Sequence, residues 1–410
     1  MTSLPKHSDA ARREQRPPRQ SWRPVLCFAA LCSFINASIA QPYIPANDTV
    51  VLDRVPAGSQ LRQFQPLRRA LAANPDDVNA ALKLSRAYLD IGRDTSDPRF
   101  VSYAQATLAP WIQRPDAPPE ALVLGAITLQ SSHRFDEALA LLERAIRADP
   151  RNPQAWLTKA TVLQVRGAFS EARKACAQLI GIADQVIALA CIASANGMNG
   201  KLSESSQAID RVLVNSAHLA PDISGWLLGQ LGEMSVRLGN DDSAERYFKV
   251  ALQANAADLY AKGEYADLLL RQQRAPEVIA LLKDNEAQDA LLLRLAIAGH
   301  SLKTSQGRRW SEMYAARLEA VRRDGDATHL REHARYELEV RKNAVAALDL
   351  AQKNWQVQRE PADVRIYMRA ATATHDPDAL RHIAAWIDSN TYQDHTLAAV
   401  LPRRIQGSLQ

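Results

Sequence analysis

The chain has 410 residues, 47% hydrophobic and 23% charged, which is enough apolar material for a sizeable core and excludes a disordered or collagen-like polymer. Its formal charge is +5, but Lys6, Arg12, Arg13, Arg16, Arg19 and Arg23 lie in the first 40 positions against only Asp9 and Glu14. About +1 remains for everything after Ala40, so the basicity argues neither for nucleic acid nor for an anionic membrane surface.

Residues 1–24 are polar and rich in arginine and proline. They precede an apolar run, Val25 to Ala40, that ends in small residues with Ser38 and Ala40 at the −3 and −1 positions. This arrangement predicts a secretory signal peptide over residues 1–40, removed before Gln41. The run of about 16 residues is interrupted by Asn36 and falls short of the ~20 that a helix needs to cross a bilayer, so a retained anchor is the weaker reading. Cys32 follows Leu31 rather than the small residue of a lipid-attachment site, and Arg12-Arg13 lacks the apolar follow-on of a twin-arginine signal. General export to a bacterial periplasm or exterior is therefore expected, with no membrane span after cleavage. Residues 41–77 read as an extended segment, with Pro42, Pro45, Pro56 and Gly58, followed by a short capping helix over Leu61 to Ala73.

From residue 78 to 388 the chain repeats itself. Phe135 and Phe169 are 34 residues apart, as are Ala138 and Ala172, Leu142 and Cys176, and Ala126 and Ala160. Each unit holds two helical patterns separated by a short turn, and Asp149-Pro150 closes a unit because proline cannot continue a helix. The turn slot falls at His133, Gly167, Gly200, Gly239, Gln273, Gly307, Arg341 and His375, with spacings of 34, 33, 39, 34, 34, 34 and 34. A degraded unit precedes these, with Tyr88 on its first helix, Gly92 at its turn, and Ala104, Leu108 and Trp111 on its second. Three residues break the pattern: His300 and Met368 occupy slots for small residues, and Glu312 stands where the second helix wants alanine. His218 to Ser224 reads as an insertion, and residues 389–410 as a C-terminal tail.

These positions resemble the tetratricopeptide repeat. The resemblance implies an all-α fold, a right-handed superhelical solenoid of about nine stacked antiparallel helix pairs (A and B) whose neighbours share one continuous core. It also implies a non-catalytic scaffold that takes a protein or peptide in the concave groove, with no cofactor and no nucleic acid. An obligate accessory subunit of an envelope export or assembly machine is the alternative.

Few residues suggest chemistry. Cys176 and Cys191 remain after the leader is lost; they lie on consecutive helices and are either a disulfide or two buried thiols. His329, Glu332 and His333 match the H-x-x-E-H pattern of zinc peptidases, a remote alternative, because the string lies inside a repeat helix and lacks a third ligand. No metal site is otherwise expected.

Helix A positions 2, 5, 9, 12 and 13 should face the groove, opposite the packing face. They hold Arg86 and Asp90 in the first pair, Trp226, Glu233 and Arg237 in the fifth, and Tyr260, Asp267 and Arg271 in the sixth. Arg331, Arg335, Arg365 and Arg369 fill the same two slots in the last two pairs; they predict either a basic patch for an acidic peptide or carboxylate or a solvated helix face with Arg335 paired to Glu339 at i, i+4.

Overall fold

The computed structural model describes residues 59–399 except 217–218 and 324–327. The leader with its cleavage point, and residues 400–410, lie outside the described residues. Two short helices, α1 (Ser59–Arg62) and α2 (Gln65–Ala73), lead into nine antiparallel pairs. The pairs are α3 (Val78–Thr95) with α4 (Pro98–Ile112), α5 (Pro119–Ser131) with α6 (Phe135–Ala148), and α7 (Pro153–Val165) with α8 (Phe169–Ala177). Next come α9 (Gln185–Gly197) with α10 (Leu202–Asn215), α11 (Pro221–Arg237) with α12 (Asp241–Ala254), and α13 (Leu259–Arg271) with α14 (Ala275–Leu282). The array ends with α15 (Asp289–Ser301) and α16 (Ser305–Arg323), α17 (Leu330–Glu339) and α18 (Ala344–Trp355), α19 (Pro361–Thr374) and α20 (Pro377–Ser389), then a 3-10 turn, His395–Ala399. No strand occurs among the described residues. The architecture is an all-α tetratricopeptide-like superhelix.

Local chemistry sets the helix ends. Asp77, Asn152, Asp258 and Asp376 accept the backbone N–H of Ala80, Ala155, Ala261 and Ala379 at 2.9–3.0 Å, caps worth ~1 kcal/mol each. Pro119, Pro153, Pro221 and Pro361 open helices at the first turn, where a missing N–H costs nothing. Every A-to-B turn contains one residue of positive φ: Ser96, His133, Gly167, Gly200, Gly239, Gln273, Lys303, Lys342 and His375.

Three of these turns differ from the sequence reading, which placed them at Gly92, Gly307 and Arg341. Gly307 belongs to α16, where it meets Gly299 of α15; a Cβ on either would lie 2.3 Å from the other's backbone. The turn of that pair has moved to Lys303, and Ala296, fully buried, takes the slot assigned to His300, which is exposed. Glu312 is likewise exposed, while Trp310 and Tyr314 turn to the core. Met368 is fully buried in its slot.

Small side chains let the helices approach along the array: Ala126, Ala138, Ala160, Ala172, Ala266 and Ala334 have no exposed surface. Cys176 and Cys191 are disulfide-bonded, joining α8 to α9 across a Cα–Cα distance of 5.5 Å.

The superhelix also closes on itself. The loop after α18 reaches the turn of the α7–α8 pair, where the Arg359 N–H donates to the Val165 carbonyl at 2.7 Å. Trp386 of α20 meets Phe169 of α8 with ring centroids 6.0 Å apart, and Phe169 and Met198 belong to the same buried cluster as α18 to α20. Further along, Gln393 accepts the Leu202 N–H at 3.2 Å. Gly200 and Gly239 matter here because a Cβ would collide with Thr391 at 2.3 Å and with His395 at 2.7 Å. The segment read as a tail is therefore structural as far as the 3-10 turn: Tyr392, Asp394 and Leu397 are 1–3% exposed.

Candidate functional site

The odd-numbered helices pack on one another along the array as well as on their pairs, so they form the inner layer of the curve. Side chains of non-adjacent inner helices meet. The reach across is direct: Arg335 of α17 contacts Asp267 of α13 at 2.7 Å, passing over α15 between them. Burial, with His329 and Arg331 nearby, lowers the His133 pKa, which places the α5 end of the array beside α17.

On α11 and α13 the slots repeat. Trp226 and Tyr260 stand 34 residues apart at equivalent positions and are 39% and 56% exposed. The Tyr260 ring lies over Gly229 at a distance that would still leave ordinary van der Waals contact for a Cβ. The Tyr260 hydroxyl donates to Glu233 at 3.0 Å. Desolvation by the surrounding chain, with Glu233 and Glu264 beside the phenol, raises the Tyr260 pKa above the usual range.

Glu264, one turn further along α13, was not singled out from the sequence. Burial first, then Asp267 and Glu233, push its pKa up to about 7. Asp267 goes the other way: burial opposes its charge, but Arg294 and Arg335 bring its pKa down to about 2. Its contact to Arg294 is 2.5 Å.

The four arginines expected to form a basic patch do lie on this inner layer, but each is engaged by a carboxylate of the chain itself. Arg331 contacts Glu332 at 3.0 Å and Glu360 at 2.7 Å. Arg335 contacts Asp267 and, at 3.1 Å, Glu339. Arg369 shares Glu339 at 2.7 Å, and Arg365 donates to Asp394 at 2.8 Å. The basic patch is corrected to a set of internal ion pairs: Glu332 and Glu339 lie on α17 itself, while Asp267, Glu360 and Asp394 come from other segments, which slot arithmetic within one helix does not see.

Three other assignments change as well. Arg237 is 2% exposed; it donates to the Gly197 and Gln393 carbonyls at 2.7 and 3.1 Å and lies 4.6 Å from the Tyr392 ring centroid. It is a clasp and not a ligand contact. Arg271 pairs with Asp241 at 2.5 Å, and Arg86 pairs with Glu120.

The H-x-x-E-H string does not build a zinc site. His329 is the residue before α17, and His333 lies 3.6 Å from Glu337. Glu332 is ion-paired with Arg331, which with His329 outweighs burial and lowers its pKa to about 2. Among the described residues no group of three potential ligands converges.

The tetratricopeptide-repeat family profile matches residues 129–190, from the end of α5 into α9. No curated protein matches the sequence. Among solved structures, the chain is similar to the human IFIT1 dimer with m7Gppp-AAAA at 13% identity and TM-score 0.46, covering 82% of this chain and 86% of that one. It is similar to the APC/C hetero-tetramer Cut9–Hcn1 at 13% identity and TM-score 0.48, covering 86% and 67%. A tetratricopeptide repeat protein from Parabacteroides merdae aligns at 15% identity and TM-score 0.36, covering 65% and 98%.

Proposed function

We propose that this tetratricopeptide-like superhelix is a non-catalytic scaffold of the bacterial envelope that binds a segment of another protein on its inner layer. The observation that carries the reading is the pair of exposed aromatic side chains, Trp226 and Tyr260, held at the same slot of adjacent inner helices. Large rings left open to solvent on a concave, repeat-built surface are anchors that gain most when a partner covers them. A scaffold needs no reacting group, and the strongest catalytic motif in the chain is consumed by ion pairing.

The test is affinity capture from envelope extract with the exported form and with a Trp226→Ala/Tyr260→Ala variant. The wild type retains a partner and the variant loses it, with helical circular dichroism unchanged. Equal capture by both removes the inner layer from the reading. Size-exclusion chromatography separates a free-standing adaptor, which runs alone, from an obligate accessory subunit, which is stable only with its partner.

A further inference from the structure

The charge left over in the interior is negative. Arg294, Arg331, Arg335, Arg365 and Arg369 each touch a carboxylate. Glu264 has no cation within ion-pair distance among the described residues, and Glu233 has only the Tyr260 hydroxyl. Both carboxylates lie with Trp226 and Tyr260 on α11 and α13. A carboxylate in a confined space beside another is an unmet charge, and an aromatic face beside it attracts a cation through its quadrupole. Arg365 is the one guanidinium here with a nitrogen to spare among the described residues: its Nη2 is buried without a hydrogen bond, but its charge is already answered by Asp394 at 2.8 Å, so an anionic ligand would still meet mainly repulsion.

We infer that the interior between α11 and α13 receives a positively charged segment of a partner protein, with a lysine or arginine side chain seated against Glu233 and Glu264 and over the rings of Tyr260 and Trp226. This rests on the reading of the inner layer as the binding surface and names the chemistry of what binds there. It replaces the acidic ligand expected from the arginine slots. Complementarity of charge selects the partner: an incoming cation gives these carboxylates a direct counter-charge that Arg294 and Arg365 do not supply at ion-pair distance, whereas an acidic segment adds to the negative charge already there.

The probe is a fluorescein-labelled peptide alternating lysine and glycine, compared by anisotropy with peptides alternating glutamate or serine with glycine, on the full chain. The expected result is binding of the lysine peptide at least about tenfold tighter than the other two. That preference falls by about tenfold or more in Glu233→Gln/Glu264→Gln and is retained in Glu204→Gln, an exposed carboxylate on the B helix α10. A lysine preference equal in all three proteins, or none in the wild type, overturns the inference. Preference for the glutamate peptide overturns it too, but leaves the inner-layer reading standing if the Trp226→Ala/Tyr260→Ala variant loses that binding. Loss of that aromatic dependence for every ligand defeats the underlying reading instead. Circular dichroism confirms that each variant is folded.

Discussion

Arg335 lies between two carboxylates, Asp267 of α13 and Glu339 one turn along its own helix, and its side chain is 18% exposed. Removing it leaves Asp267 with Arg294 alone and Glu339 with Arg369 alone, so Arg335→Ala should destabilise the fold by about 1–3 kcal/mol in urea unfolding. A change within about 0.5 kcal/mol would return the residue to the status of a solvated surface charge. Titration of the interior carries two signs. Glu264 is held at about 7, above its ordinary 4.5, so its contribution to stability is present below about pH 4.5 and is lost as pH rises through 7. Asp267, held at about 2, contributes above its ordinary range and is lost only as pH falls through 2. Glu264→Gln should therefore flatten the decline in melting temperature between about pH 5 and 8 and leave the acid limb in place. Asp363, raised by burial to about 6, keeps a smaller decline of the same sign, and an unaltered slope in the variant would count against the interior charge assignment.

At the scale of single helices, the α15–α16 crossing depends on two glycines touching backbone to backbone. Gly299→Ala should cost about 1–3 kcal/mol through overpacking, measured by urea unfolding, and an unchanged midpoint would mean that the crossing is looser than described. Reducing the Cys176–Cys191 bond, which spans 15 residues, should lower stability by about 3 kcal/mol if chain entropy dominates. Equal midpoints with and without reductant would show that the bond is absent in solution or adds nothing.

Helix pairing was legible in the sequence because the period of small residues at Ala126, Ala160 and Ala266 reports directly on how close two helices come. The same signal misled at Gly307: a glycine that permits a positive φ and a glycine that permits a crossing are the same letter. Trp226, Tyr260 and the inward arginines were found by slot arithmetic on single helices. Glu264 was missed because its significance comes from Asp267 and Glu233 around it; the Arg335–Glu339 pair was legible from its i, i+4 spacing, whereas the pairing of Arg331 and Arg365 was not, because Glu360 and Asp394 arrive from other segments.

Across the array, closure depends on contacts distant in sequence. Arg237 spans Gly197, Tyr392 and Gln393, and the Arg359 N–H pairs with the Val165 carbonyl. Under the proposed function, the inner layer of this closed turn, and not its outer helices, meets the partner. The most direct test is site-specific photo-crosslinking in envelope extract, with a benzophenone side chain at Tyr260 on α13 or at Val345, which is 75% exposed on the B helix α18. A crosslinked partner is expected from position 260 and none from 345; crosslinks from 345 with none from 260 would overturn the inner-layer reading.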